Sequence, residues 1–229
     1  MNDEDRVGAA CAFIGCVLLG IGTSMHPMQA DPNNAAAAFA EYAADQRWVI
    51  GHLLQFAGAA LLLGFMLILS RQLRARSGMR QVATGGAIAS LAVVAVLQAV
   101  DGVALKATVD AWAAAPAADK PAAFSAAFAV RQIEIGVAAL LSLLFGATSA
   151  LFGLLLHGDG RYPRWIGGAA FAGGAGFAAS GFALARGGFT SFVLNLQMPS
   201  SLMVLAWVVG VAALHWRRST TQPPPSGAN

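Results

Sequence analysis

Gln98, Asp101, Lys106 and Asp110 fall within LQAVDGVALKATVD, residues 97–110, directly after a run of Ala, Val, Leu and Gly. A carboxylate and an amine in such surroundings suit ion pairing or capture of a polar ligand. Gln98 and Asp101, three residues apart, share a helix face. Lys106 lies about 140° round from Asp101 on an ideal helix, so a direct pair needs a bend at Gly102. Asp110, four residues on, is the easier partner for Lys106. His52 and Gln55 repeat the spacing of three, as do Arg131 and Glu134, which can pair along one helix.

The segment SMHPM adds Met25, His26 and Met28. Thioether and imidazole suit copper, whereas imidazole with Asp101 or Glu134 suits zinc. His26 and His52 are also the pair available to a haem. No spacing motif fixes any of these, and the bland alternative for His26 is a helix end before Pro27. His157 and His215 lie beside Asp159 and Arg217, where snorkelling at an interface accounts for them. Cys11 and Cys16 are wrongly spaced for a metal pair and read as small buried hydrophobes.

Enzyme motifs are missing. There is no Gly-x-Ser-x-Gly elbow, Walker loop or dinucleotide fingerprint. GGAAFAGGAG is Gly-rich but lies inside an apolar run, so it cradles no phosphate. Lys and Arg form no stripe interleaved with aromatics, which argues against nucleic acid.

These residues must be positioned by elements that live in lipid. The chain is 57% hydrophobic and 11% charged, against about 25% charged in soluble domains. Six segments are long and apolar enough to span a bilayer: residues 7–23, 48–70, 82–101, 134–157, 165–185 and 197–216. The first is no typical signal peptide, because its leading MNDEDR is acidic. Residues 1–218 thus read as an all-α, six-helix transmembrane domain, and the Pro-rich residues 219–229 as a disordered tail.

Arg71, Arg74, Arg76 and Arg80, then Arg161 and Arg164, then Arg217 and Arg218 fall on one side if six spans alternate. The positive-inside rule makes that side cytoplasmic, with both termini. Counting inward from these anchors puts Asp101, His26, Glu134, Asn195 and Gln197 near the outer edge of the hydrocarbon. Trp48 marks the outer interface, with His52 and Gln55 one and two turns inside it.

A small helical cap is expected outside. Asn34 can cap a helix through AAAAFAEYAA, Asp45 can cap the following one, and Asp119 with Pro121 signals a helix start. The third and fourth spans are expected to protrude into this cap, the third as far as Trp112. Gly168, Ala172, Gly176 and Ser180 recur every four residues, which suits packing within the chain, a homodimer or a membrane protein partner. Pro199 either starts or kinks the sixth span.

The runs VDGVALKATVDAWAAAPAADKPAAF, AVRQIEIG and YPRWIG resemble an uncharacterised family of bacterial six-helix polytopic membrane proteins. The resemblance implies the fold and carries no activity. The sequence therefore points to an outward-facing polar pocket in a ligand-binding or accessory membrane subunit, built from Asp101, His52, Gln55, Gln98 and Glu134, with Arg131 and Lys106 balancing charge. A metal- or haem-binding redox protein or hydrolase, with His26, His52, Met25 and Met28 as ligands, is the alternative. A small-solute transporter is a third, and the apolar inner two thirds of the spans count against it.

Overall fold

The computed structural model describes residues 3–74 and 77–221, and all the secondary structure in them is helical. In order these are α1 (Asp3–Met25), α2 (Ala35–Ala44), α3 (Trp48–Gln72) and α4 (Ser77–Gln98), then a π-helical turn (Ala99–Leu105), α5 (Lys106–Ala114), α6 (Lys120–Gly158), α7 (Arg164–Gly187) and α8 (Ser191–Thr221). Six helical stretches are long and apolar enough to cross a membrane, with α4, the π turn and α5 forming one of them.

The third and fourth spans run on into the cap. The fourth is a helix of 39 residues, about 58 Å long against about 30 Å of hydrocarbon. The third continues to Ala114, two residues past Trp112, and the sixth begins at Ser191 with Pro199 inside it. Helix also continues past 218 to Thr221; the rest of the expected tail, like Arg76, lies outside the described residues.

Asn34 caps α2, its side chain accepting from the Ala37 N–H, and Asp119 precedes α6 with Pro121 in the first turn. Asp45 does not cap α3. It accepts from the Arg47 N–H at 2.8 Å, and Arg47 is the capping residue. An Asx turn thus replaces the expected cap.

Glycines seven residues apart set the helix pairs. Gly15 and Gly22 of α1 meet Gly58 and Gly51 of α3, running antiparallel; a methyl on Gly22 would stand 2.5 Å from the Gly51 carbonyl oxygen. Gly146 and Gly153 of α6 meet Gly174 and Gly167 of α7 in the same way. Such contacts let backbones touch, which supplies packing where no hydrophobic drive acts between helices in lipid. The four-residue stripe on α7 is split by this geometry. Gly168 and Ala172 are exposed, Gly176 faces Ser200 of α8, and Ser180 is buried.

The bundle has two distinct ends. At one, α2, the start of α3, α5 and the start of α6 bury Phe39, Tyr42, Trp48, Leu105 and Val109. Trp48 is therefore not an interfacial anchor: it is 1% exposed, and its indole N–H donates to the Asp101 carbonyl at 3.0 Å. At the other end the carboxylate of Asp159 accepts from Arg161 and from the Arg74 backbone N–H at 2.8 Å, joining two loops. His215 is buried there rather than snorkelling, its Nε2 2.9 Å from the Tyr162 hydroxyl.

Burial alone would push the Asp159 carboxyl up, but the Arg161 guanidinium and the Arg74 N–H outweigh it and hold it below the usual carboxylate range. A folded-state value below the unfolded one means the stabilisation is complete above the unfolded value, about 3.9. It is lost as pH falls through the lower, folded value. Thermal melts of the detergent-solubilised protein at descending pH are expected to show this slope, and Asp159→Asn to flatten it.

Candidate functional site

The π turn is the local device that builds the site. A π segment widens the helix by one residue and is frequent at functional sites. Here it falls on AVDGVAL, and Gly102 lets α3 come close: a methyl on Gly102 would stand 2.6 Å from His52 Cβ. That approach sets Asp101 Oδ2 3.2 Å from His52 Nε2. The turn does not bring Lys106 to Asp101. Lys106 Nζ donates to the Tyr42 and Ala43 carbonyls at 3.0 Å each and pairs with Asp110 at 2.7 Å. A cation on the last carbonyls of α2 opposes that helix's dipole, so Lys106 fastens the cap. It is not among the residues that line the cavity.

Beneath α2 lies a cavity of about 410 Å³. Its polar wall holds His26, Gln55, Gln98, Asp101, Arg131 and Glu134, with Tyr42 from the cap and Gln197 from α8. Its apolar wall holds Leu97, Ala138, Leu141, Leu184, Phe189 and Leu194. Gln98 Nε2 reaches Gln55 Oε1 at a long 3.5 Å. Arg131 and Glu134 are both buried and ion-paired, and the guanidinium lies 4.9 Å from the Phe189 ring and 5.7 Å from that of Tyr42. Two side-chain atoms of this wall, Gln98 Oε1 and Asp101 Oδ1, are buried without a hydrogen-bond partner among the described residues, as are His52 Nε2 and Arg131 Nε.

His52 stands behind Asp101 rather than on the cavity surface, and its Nδ1 lies 2.7 Å from the Trp48 carbonyl. His26 follows α1, its Nδ1 2.9 Å from the Pro27 carbonyl and its ring centroid 5.4 Å from that of His52. Burial pushes the His26 imidazole down from its ordinary value and the Tyr42 phenol up to about 12. Met28 lines the cavity with His26 and is 74% exposed, and Met25 packs its Cβ toward Gly51.

Sequence reasoning did not single out Tyr42, nor the apolar wall. Tyr42 reads as an ordinary face residue of a short alanine-rich helix, and Leu97 or Leu184 are indistinguishable from lipid-facing leucines.

Six apolar helical spans with a capped polar cavity at one end define a multi-pass membrane helix bundle. Residues 7–214 match the model of a family described as Domain of unknown function (DUF4386), and the chain belongs to that family. No curated protein and no solved structure matches the chain.

Proposed function

We propose that this is a bacterial cytoplasmic-membrane protein that binds a small amphipathic ligand in the cavity under α2, with that cavity facing outward and both termini in the cytoplasm. The carrying observation is the cavity itself: about 410 Å³, lined by charged and hydrogen-bonding side chains together with leucines and other apolar residues. Sites for small molecules have this size and this mixture of apolar lining with a few convergent polar groups. The orientation rests on Arg71, Arg74, Arg80, Arg161 and Arg164 at the far end.

Binding fits better than transport. Leu63, Phe65, Met66, Leu69, Phe152 and Trp207 fill the bundle between the cavity and the basic end, and a transported polar solute needs a polar path. A ligand would set its polar head against Asp101, Gln98 and Arg131 and its apolar part along Leu141, Leu184 and Leu194.

Mass spectrometry of organic extracts from the purified protein tests this. A small molecule is expected at near one equivalent in wild type, reduced at least tenfold in Asp101→Asn and in the cavity-filling Leu194→Trp. Extracts that do not differ among the three folded proteins remove the reading.

A further inference from the structure

We infer that His26, His52 and Asp101 form a zinc site in the wall of this cavity. One donor atom from each lies within 4.8 Å of the other two. The carbonyls of Trp48 and Pro27 can only accept, so each histidine carries a hydrogen on Nδ1 and, in its neutral form, offers the Nε2 lone pair to a metal. A metal-ligating histidine is held in this way, its second nitrogen donating to a backbone carbonyl or carboxylate. Here both rings are so held, from two different elements.

His52 Nε2 stands 3.2 Å from a carboxylate oxygen, Asp101 Oδ2. A proton on Nε2 bridges such a pair as an imidazolium–carboxylate contact, and a metal ion in the proton's place bridges it as two ligands. Zn–N bonds of about 2.0–2.1 Å and similar Zn–O bonds put two ligands of a tetrahedral ion about 3.3 Å apart. The His52–Asp101 pair already has that separation. The three donor atoms, within 4.8 Å of one another, must draw in by at most about 1.5 Å. The other Asp101 oxygen, Oδ1, is also buried without a partner.

The donor set selects the ion. Two imidazoles and a carboxylate suit zinc. Three protein ligands leave a fourth position open, as catalytic zinc sites do. His26 and Asp101 both line the cavity, so that position opens into it. The inference deepens the ligand-binding reading and rests on its cavity: a ligand bearing an anionic or neutral donor group would complete the shell.

Zinc content of chelator-stripped, detergent-purified protein after equilibration with Zn²⁺ tests the site, and Co²⁺ absorption reports the geometry. One equivalent of zinc per chain and a tetrahedral cobalt spectrum are expected. His26→Ala and Asp101→Asn should each weaken zinc at least as much as loss of an outer-shell partner does, about 10–100-fold. His157→Ala, exposed at the other end, should keep it. Folded wild type that takes up no stoichiometric zinc, or takes up no more than its His26→Ala variant, overturns the proposal. Melting curves on every variant separate lost ligand from lost fold. Organic extract and metal content are read separately, so a chain that keeps its small molecule and takes no zinc loses this site alone. One that takes zinc and holds no small molecule loses the amphipathic-ligand reading alone.

Discussion

Arg131→Met is expected to destabilise the protein by about 3–5 kcal/mol, the cost of leaving a buried charge without its partner. Glu134 is 2% exposed and Arg131 5%, and they pair within one helix. Removing the guanidinium leaves the carboxylate without its neutralising partner and strips the cation from between the Tyr42 and Phe189 rings. For a chain of this size that corresponds to a melting temperature lower by roughly 10 °C. The double variant Arg131→Met with Glu134→Leu separates charge from shape. A buried ion pair replaced by apolar groups of similar volume is often neutral or better, so the double variant should recover most of the loss. If the double variant melts as low as the single one, packing of the guanidinium rather than unpaired charge sets the cost. Because both residues line the cavity, the double variant also tests the ligand: stability should return while retention of the extracted small molecule does not.

Much of the architecture was legible because lipid imposes it. A span needs a certain length of apolar residues, and six such lengths could be counted. Local chemistry was legible for the same reason that it is local: Asn34 caps α2, Lys106 pairs with Asp110, and Arg131 pairs with Glu134, all within one helical turn or at its start. Counting residues inward puts Asp101 and Gln55 in the outer third of the spans, and both line the cavity together with Gln98. What could not be read depends on contacts between helices. The π turn is a one-residue change of register that no hydrophobic period announces, yet it decides that Asp101 meets His52 and that Lys106 turns to the cap. Trp48 has the composition of an interfacial anchor, and only the arrival of α2 and the π turn buries it. His215 looks like a snorkelling residue until Tyr162 and Asp5 close over it, 2.9 Å and 3.6 Å away. In a chain where both lipid-facing and core-facing residues are apolar, the pattern that separates exposed from buried in water is absent.

The glycine register is where that ambiguity can be tested most directly. Gly153→Leu is expected to unfold or severely loosen the α6–α7 pair, because even a first methyl there would stand 2.5 Å from the Phe171 backbone nitrogen. Backbone on the facing helix cannot swing away as a side-chain tip can, so the two helices must separate along their length. Overpacking in well-filled cores costs about 1–3 kcal/mol where side chains can yield, and this site sits at or beyond the upper end. Gly168→Leu, one residue past Gly167 on α7, is the matched control: it is exposed, and no heavy atom lies within 4 Å of the added carbon. Its effect should stay within about 0.5 kcal/mol. The contrast, read as melting temperature in one detergent, turns on the seven-residue spacing that joins Gly146 and Gly153 to Gly174 and Gly167 rather than on the four-residue spacing that begins at Gly168. Equal loss in both variants would mean that the helices pack through the other face. The α6 residues Arg131 and Glu134 and the α7 residue Leu184, which all line the cavity, would then be held at a different rotation, and the lining would be rearranged.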